Sequence, residues 1–381
     1  MTSTEKRRLF ILAGGGTGGH LYPGIAAAEE LRKLRPEFDV VVYGTPRPID
    51  AKLTESHKMG LVVQAVQPFT TSPKKIFGFL RSYYKSIAAA KKAFAQRKPA
   101  IVLGLGGYAA APPIVAASKM GIPTALFNPD LVPGKANMKL AAQVDRIFVQ
   151  WYETIEHFGR VTKAKCTGCP IRAGFAAVKK DAAIKALKLD PNRKTLLITG
   201  ASQGAWSINA AVLELMDFWK SMSDWQIIHL TGANDLKGCR TAFAEAGVSA
   251  MTLAFTEHMA HCMAAADLII SRAGASTLAE ITAVGRASIL MPYPFDKKQH
   301  QLANANHLAN QNAAAVVKDA NDPALNARRL RKELESLMQS DHRRERLAEV
   351  AGAMGRHDAA VSIAKGMLAL ADGERDDPDD A

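Results

Sequence analysis

The chain alternates short apolar runs with helical patterns, and then does so a second time. Runs at 9–14, 40–44, 61–66, 101–106, 123–128 and 146–150 read as strands, with helical spacing at about 21–35, 47–58, 74–96, 109–120 and 134–142. A second set of runs lies at 196–200, 226–232, 251–255, 267–272, 287–294 and 314–318. Helical patterns at about 205–221, 235–246, 258–265, 276–284, 298–311 and 323–339 separate them. Such alternation predicts an α/β fold: parallel sheets with helices on both faces. At 381 residues the chain is too long for one ordinary core. Two Rossmann-like units are therefore expected, over 1–168 and 169–349, with a hinge near Gly168–Arg172. A C-terminal helix within about 350–371 is expected to complete the first unit. The acidic end, from 372 to 381, reads as a disordered tail.

Hydrophobic residues make up 48% and charged residues 22%, the balance of a soluble globular protein. No apolar run approaches the ~20 residues of a membrane-spanning helix. The first apolar stretch stops at once in glycines, with no small-residue cleavage site, so it reads as a strand and the protein as cytoplasmic. Cys166 and Cys169 form a CxxC pair, but no further ligands stand at zinc-site spacing, and Pro170 follows directly. Ordinary reduced thiols are expected. Net charge is +13. Between Glu55 and Asp130 there is no acid, whereas Lys58, Lys74, Lys75, Arg81, Lys85, Lys91, Lys92, Arg97, Lys98 and Lys119 all fall there. Such a field suits an anionic partner.

Ligands of open parallel sheets bind beyond the carboxyl ends of the strands, and the sequence places glycine-rich turns there. The first strand runs into Gly14-Gly15-Gly16-Thr17-Gly18-Gly19-His20. Glycines admit close approach of backbone amides to a phosphate, and a helix N-terminus adds partial positive charge. Gly14, Gly16 and Gly19 fit a dinucleotide fingerprint, but the second strand ends in Tyr43-Gly44-Thr45-Pro46, with no acid for a ribose. His20 opens the helix. A positive dipole there lowers its pKa and suits it to general-base work at pH 7; a structural histidine capping local backbone fits equally well. Gly106, Gly107 and Tyr108 follow the strand at 101–106 and form either an anion site or a tight turn. In the second half, Ser202 lies in Gly200-Ala201-Ser202-Gln203-Gly204, as a diphosphate contact or a helix cap. Glu280, about one turn into a helix, suits either a ribose diol or the helix dipole.

GGTGGH, GLGGY, GASQG, SRAGASTLAE and PYPFDKKQHQLANA stand in this order. Together they resemble the MurG family of GT-B transferases, which move N-acetylglucosamine (GlcNAc) from UDP-GlcNAc to undecaprenyl-pyrophosphoryl-MurNAc-pentapeptide. The resemblance runs from about residue 8 to about 370. It implies two Rossmann-like domains facing across a cleft. It makes His20 the base and puts Thr17, Gly18 and Gly19 close to the donor and acceptor phosphates. Arg172 and Ser202 would contact the donor. Thr256 would read uracil through its backbone, and Ala275, Ser276, Thr277, Leu278, Ala279 and Glu280 would hold the nucleotide. Gln301 would meet the GlcNAc hydroxyls. The family's HEQN is replaced by Phe127-Asn128-Pro129-Asp130, so that the family's donor-contacting Asn falls on Asp130.

The implied reaction is an inverting transfer to the MurNAc 4-hydroxyl, from lipid I to lipid II, in peptidoglycan synthesis. Outside the tail, where Asp377 and Asp379 match trivially, no DxD motif stands to hold a divalent ion. No required cofactor is expected, and any Mg accompanying the diphosphate is expected to be loosely held without protein ligands. The lipid acceptor calls for a membrane surface. In 73–94, Ile76, Phe77, Phe79, Leu80, Tyr83, Tyr84 and Ile87 alternate with basic residues at near-helical spacing, which suits an anionic interface on the cytoplasmic face. Gly106, Gly107, Tyr108, Phe77, Phe79 and Leu80 are the acceptor and membrane candidates. An ordinary amphipathic helix, apolar face inward, has the same pattern. Three alternatives are weighed beside this reading: a divergent transferase with another acceptor, a UDP-GlcNAc epimerase, and a nucleic-acid-binding protein. The last would leave the glycine turns without a purpose, and no nucleic-acid partner is expected.

Overall fold

Parallel strands need a helix to carry the chain back to the same edge, and the element order obeys this almost throughout. The computed structural model describes residues 7–70, 72–159, 163–172, 174–175, 177–200, 204–296 and 298–374. The chain divides into Met1–Arg172 with Asp358–Ala381, and Ala173–His357.

The first unit runs β1 (Arg8–Ala13), α1 (Gly18–Leu34), β2 (Phe38–Gly44), α2 (Pro48–Ser56), β3 (Gly60–Val63), α3 (Pro73–Gln96) and β4 (Ile101–Gly104). It continues with α4 (Ala111–Lys119), β5 (Thr124–Asn128), α5 (Lys135–Leu140), β6 (Arg146–Val149), α6 (Glu153–Glu156) and β7 (Ala164–Cys166). The sheet order is β3-β2-β1-β4-β5-β6-β7, and β1 pairs in parallel with both β2 and β4. Central strands are buried on both faces; Ile11, Leu12 and Ala13 are fully enclosed. β7 escapes the sequence reading because Ala-Lys-Cys is too short and too mixed to register as an apolar run. It survives as an edge strand beside β6.

The second unit runs α7 (Lys180–Ala186), β8 (Lys194–Thr199), α8 (Trp206–Leu213), α9 (Met216–Ser221), β9 (Trp225–Leu230), α10 (Leu236–Glu245), β10 (Ala250–Leu253) and α11 (Met259–Ala265). Then come β11 (Leu268–Ser271), α12 (Ala275–Val284), β12 (Ala287–Leu290), α13 (His300–Asn310), β13 (Ala315–Val316), α14 (Pro323–Met338) and α15 (Asp341–Ala353). The order is β10-β9-β8-β11-β12-β13, all parallel. Leu196, Ile198, Leu268 and Ile270 of the sheet share a core with Ile208, Val212, Leu330 and Leu334 of α8 and α14. The single helix expected over 205–221 is two, with Leu215 as the N-cap of α9. α15 was not expected. It buries only Arg344 and Ala351, so its charged sequence shows no apolar stripe.

The last helix, α16 (Ala359–Asp372), belongs to the first unit. A side chain at Gly366 would put its Cβ 2.9 Å from the Phe148 ring, so close packing on β6 requires glycine here. Arg8 and Arg35 hold Asp372 at 2.6 and 3.0 Å. Three sequence expectations are thereby corrected. The units divide after Arg172, at the far end of the expected hinge, and after His357 rather than 349. Residues 350–353 end α15 in the second unit. Asp372 closes a helix rather than opening a tail, and residues 375–381 lie outside the described residues. The four cysteines are free thiols.

Candidate functional site

Strand order in each sheet reverses at one point, between β1 and β4 in the first unit and between β8 and β11 in the second. Helices leave opposite faces there, so loops diverge and a crevice opens at the carboxyl ends. The glycine-rich turns singled out in the sequence stand at these two points.

In the first unit, the turns after β1 and β4 meet. A Cβ at Gly14 would stand 3.1 Å from the Gly106 carbonyl oxygen, and one at Gly107 3.9 Å from the His20 ring. Gly106 has φ +87°, a conformation that favours glycine. Thr17 is the N-cap of α1, with Gly18, Gly19 and His20 its first three residues. The Thr17 hydroxyl does not cap the helix; its Oγ1 lies 3.0 Å from His20 Nδ1. The half-buried His20 has a pKa below its ordinary value. Burial is the chief cause; Asp130 and Asp50 pull it upward and Arg47 downward. The direction is the one expected from the helix N-terminus, but desolvation leads. A ring of this kind is neutral at pH 7 and carries one free lone pair.

Asp130 follows β5 in a loop held by the buried Asn128. Asn128 Nδ2 donates to the Asp130 carbonyl at 2.7 Å, and Asn137 Nδ2 donates to Asn128 Oδ1 at 3.0 Å. Asn128 therefore braces the loop at the position where the resembling family has a carboxylate. The Arg172 guanidinium stacks 4.7 Å over the Tyr22 ring of α1, close along the helix to His20. Tyr108 is half-buried after the β4 turn.

Two pockets of about 440 and 470 Å³ in this unit lie at the amino ends of the strands, and no expected site residue lines them. In the second unit, a pocket of about 300 Å³ opens at the reversal point. Gly200, Gly204, Arg272, Gly274, Thr277 and Gln301 line it, with Trp206, Tyr293 and Phe295 among the rest. Gln301 Oε1 accepts from the Ala273 and Tyr293 amides at 3.3 and 3.0 Å, which fixes the side-chain amide and turns its NH₂ the other way. Ala275 through Glu280 form the start and middle of α12. Ser276, Thr277 and Glu280 are half-buried on one face, while Ala275, Leu278 and Ala279 are buried. Glu280 is the sixth residue of α12, past the first turn. Thr256 is buried after β10, its Oγ1 accepting from the His258 amide at 3.0 Å. Ser202 lies outside the described residues.

Sequence reasoning missed the frame beneath this pocket. Arg272 donates to Asp319 Oδ2 at 2.7 Å and to Ser207 Oγ at 2.8 Å, and Ser207 donates to Asp319 at 2.6 Å. Burial raises the Asp319 pKa, but bonds from Ser207, Arg272, Asn321 and Asn326 outweigh it, so the carboxyl sits below its ordinary value. An arginine directly after a strand was the available signal. The missed residue of the first unit is Asp50, buried under the glycine turn; an acid in the first turn of α2 was its only sign.

On α3, Phe77 and Leu80 are exposed, as is Tyr84, beside exposed Lys74, Lys75, Arg81 and Lys85. Phe79 departs from the expectation: it is half-buried, packed between Phe69 and Tyr83 at 5.3 and 5.8 Å. Ile87, Ala90 and Phe94 join the core. The helix thus buries one face of its second half, at Ile87, Ala90 and Phe94, and leaves Phe77, Leu80 and Tyr84 in solvent beside basic side chains.

The chain matches the glycosyltransferase family 28 N-terminal domain over residues 10–149 and the corresponding C-terminal domain over 195–363. It is 36% identical over 363 residues to the UDP-N-acetylglucosamine–N-acetylmuramyl-(pentapeptide) pyrophosphoryl-undecaprenol N-acetylglucosamine transferase of Thermodesulfovibrio yellowstonii, covering 94% of this chain and 98% of that protein. The Syntrophus aciditrophicus transferase of the same name is 34% identical over 367 residues, with the same coverage. Among solved structures, Acinetobacter baumannii MurG superimposes with a TM-score of 0.74 at 24% identity, over 95% of this chain and 99% of that one. A UDP-GlcNAc 2-epimerase from Neisseria meningitidis reaches 0.65 at 14% identity, over 94% and 99%, which shows a shared fold. With a third of its residues shared along nearly the whole of both chains, this chain belongs to the UDP-N-acetylglucosamine–N-acetylmuramyl-(pentapeptide) pyrophosphoryl-undecaprenol N-acetylglucosamine transferase family.

Proposed function

We propose that the enzyme transfers GlcNAc from UDP-GlcNAc to the 4-hydroxyl of MurNAc in undecaprenyl-pyrophosphoryl-MurNAc-pentapeptide, with inversion, in peptidoglycan synthesis. The observation that carries this reading is the 36% identity, along 94% of the chain, to a transferase named for these substrates. The acceptor oxygen attacks the sugar C1 and its proton passes to His20 Nε2. The bond from C1 to the diphosphate breaks, and its electron pair leaves with UDP. For this, His20 Nδ1–H donates to Thr17 and Nε2 keeps its lone pair.

The donor belongs to the second unit in this reading. Its diphosphate lies beyond the end of β8, where Ser202 and backbone amides at the start of α8 receive the charge that develops on UDP. Arg172 adds a cation. Glu280 accepts from the ribose hydroxyls, Thr256 lies at the uracil, and the Gln301 NH₂ faces the sugar. The Asp130 carboxylate acts on His20, favouring its protonated form. No step of this scheme is given to a protein-bound metal. Turnover in excess EDTA tests that directly.

The acceptor is a lipid, and the protein meets it as a peripheral protein on the cytoplasmic face. The support is the exposed face of α3, with each Lys or Arg near an anionic surface contributing about 1 kcal/mol. No helix among the described residues is long and apolar enough to cross a membrane. Incubation with radiolabelled UDP-GlcNAc and a short-chain acceptor analogue tests the reaction. Label should appear in the lipid product as a β-1,4-linked disaccharide. Label released as free sugar or epimerised donor, with none in lipid, would remove the reading.

A further inference from the structure

The glycine turn before His20 rests on a carboxylate to which the scheme above gives no task. Asp50, in the first turn of α2, is fully buried. Its Oδ1 accepts from the Gly16 amide at 2.7 Å. Its Oδ2 accepts from the Thr45 amide at 2.7 Å and from the Thr45 hydroxyl at 2.9 Å. The glycines on either side make room for it: a Cβ at Gly15 would stand 2.2 Å from Oδ2, and one at Gly44 2.8 Å. A carboxylate withdrawn from water is tolerated only when strong bonds receive it, and charge-assisted bonds of this length are among the strongest.

Two consequences follow. The Gly16 amide is engaged from below, and a second anion at that amide would face the Asp50 charge. That amide is therefore poorly placed to receive a phosphate, and through it the turn is tied to α2. Thr17 follows Gly16 directly, and its hydroxyl stands 3.0 Å from His20 Nδ1. We propose that Asp50 is a positioning residue for the transfer: by fixing Gly16 it fixes Thr17 and, through Thr17, the His20 ring, and its negative charge favours the imidazolium that forms when His20 takes the acceptor proton.

The surroundings of His20 bear on the second part. Thr17 faces the ring from its own turn. Asp50 and Arg47 act from the segment joining β2 to α2, and Asp130 from the loop after β5. Gly106 and Gly107, from the turn after β4, bring no charge. Arg47 Nη1 donates to the Gly16 carbonyl at 2.9 Å, so this cation grips the same turn from its other side. Asp50 and Asp130 are the two carboxylates that oppose desolvation of the ring.

The proposal rests on His20 being the base, so the test is a double-mutant cycle in the full-length enzyme. Asp50→Asn is made with His20 in place and in the His20→Ala background, with kcat, donor KM, UDP affinity and the pH profile of kcat measured for each. With His20 present, Asp50→Asn is expected to lower kcat tenfold or more while UDP affinity stays within twofold. The acid limb of the kcat profile should move to lower pH, because a charge favouring imidazolium is gone. In the His20→Ala background the same substitution should change residual turnover less than twofold, as for residues acting as one unit. An equal loss of kcat in both backgrounds, or UDP affinity falling in step with kcat, would overturn the proposal. Should Asp50→Asn fail to fold, Thr45→Val keeps the carboxylate and removes one donor. It should lower kcat severalfold with His20 present and not in its absence; equal effects would again overturn the role. Full turnover in His20→Ala alone would remove the base assignment itself, a different result from either.

Discussion

The Thr17 hydroxyl lies 3.0 Å from His20 Nδ1, and the helix it precedes begins without a side-chain cap. A threonine at an N-cap ordinarily accepts from an amide of the first turn, stabilising the helix by about 1 kcal/mol. Here that stabilisation is forgone, and the hydroxyl orients an imidazole. Thr17→Val keeps the shape and removes the hydrogen bond. The expected outcome is a kcat lowered about tenfold with donor KM within twofold, and Thr17→Ser restoring most of the rate. Steady-state kinetics of the three proteins checks it; a raised donor KM with unchanged kcat would place Thr17 on the donor instead.

Glu280 presents its half-buried carboxylate on the same face of α12 as Ser276 and Thr277, and Thr277 lines the pocket. Loss of a charged pair of hydrogen bonds to a diol weakens binding by about 1.5–3 kcal/mol. Glu280→Ala should therefore raise the donor KM roughly 10- to 100-fold and leave the acceptor KM nearly unchanged. An unaltered donor KM would refute the ribose role.

His229 is fully buried on β9, with Nε2 3.0 Å from Asn209 Oδ1, and burial pushes its pKa down to about 3. The folded protein binds no proton here at neutral pH, whereas the unfolded chain takes one up near pH 6.5. Stability from this group is complete above that pH and declines as pH falls from 6.5 toward 3, by at most about 1.4 kcal/mol per pH unit. Urea unfolding at pH 7, 6, 5 and 4 should show a decline that is shallower in His229→Gln. Parallel curves would mean that other groups set the acid sensitivity.

Exposed Phe77, Leu80 and Tyr84 share the start of α3 with Lys74, Lys75, Arg81 and Lys85. Phe77→Glu with Leu80→Glu should weaken binding to vesicles rich in anionic lipid by tenfold or more. Turnover on a short-chain, freely soluble acceptor should be unchanged. Wild-type binding should also weaken with added salt, as basic contacts are screened. Vesicle binding untouched by the double substitution would place the membrane contact elsewhere.

The architecture was legible because its signal is long and periodic. Every strand read from an apolar run is present, and the two reversal points coincide with the glycine turns. What escaped the sequence has short or charged local signals: β7, held by pairing with β6 alone, and α15, whose buried residues include an arginine. The site was legible in its loops and not in its supports. His20 and Thr17 stand together in sequence, so their pairing could be anticipated. Asp50 reaches Gly16 across 34 positions, and Arg272 reaches Asp319 across 47. No local pattern reports such bonds, since only the assembly of the sheet brings the loops together. Phe79 shows the same limit: helical spacing alone could not tell that Phe69 and Tyr83 would enclose it.

In the proposed transfer, His20 removes the proton from the acceptor hydroxyl while the second unit holds UDP. The most direct test is single-turnover transfer of labelled GlcNAc to the lipid analogue by His20→Ala, with UDP affinity measured by calorimetry on the same protein. Transfer should be slowed by a factor of about 10²–10⁴, with UDP affinity within twofold of the unaltered enzyme. Transfer at the original rate, or a loss of UDP affinity matching the loss of rate, would contradict it.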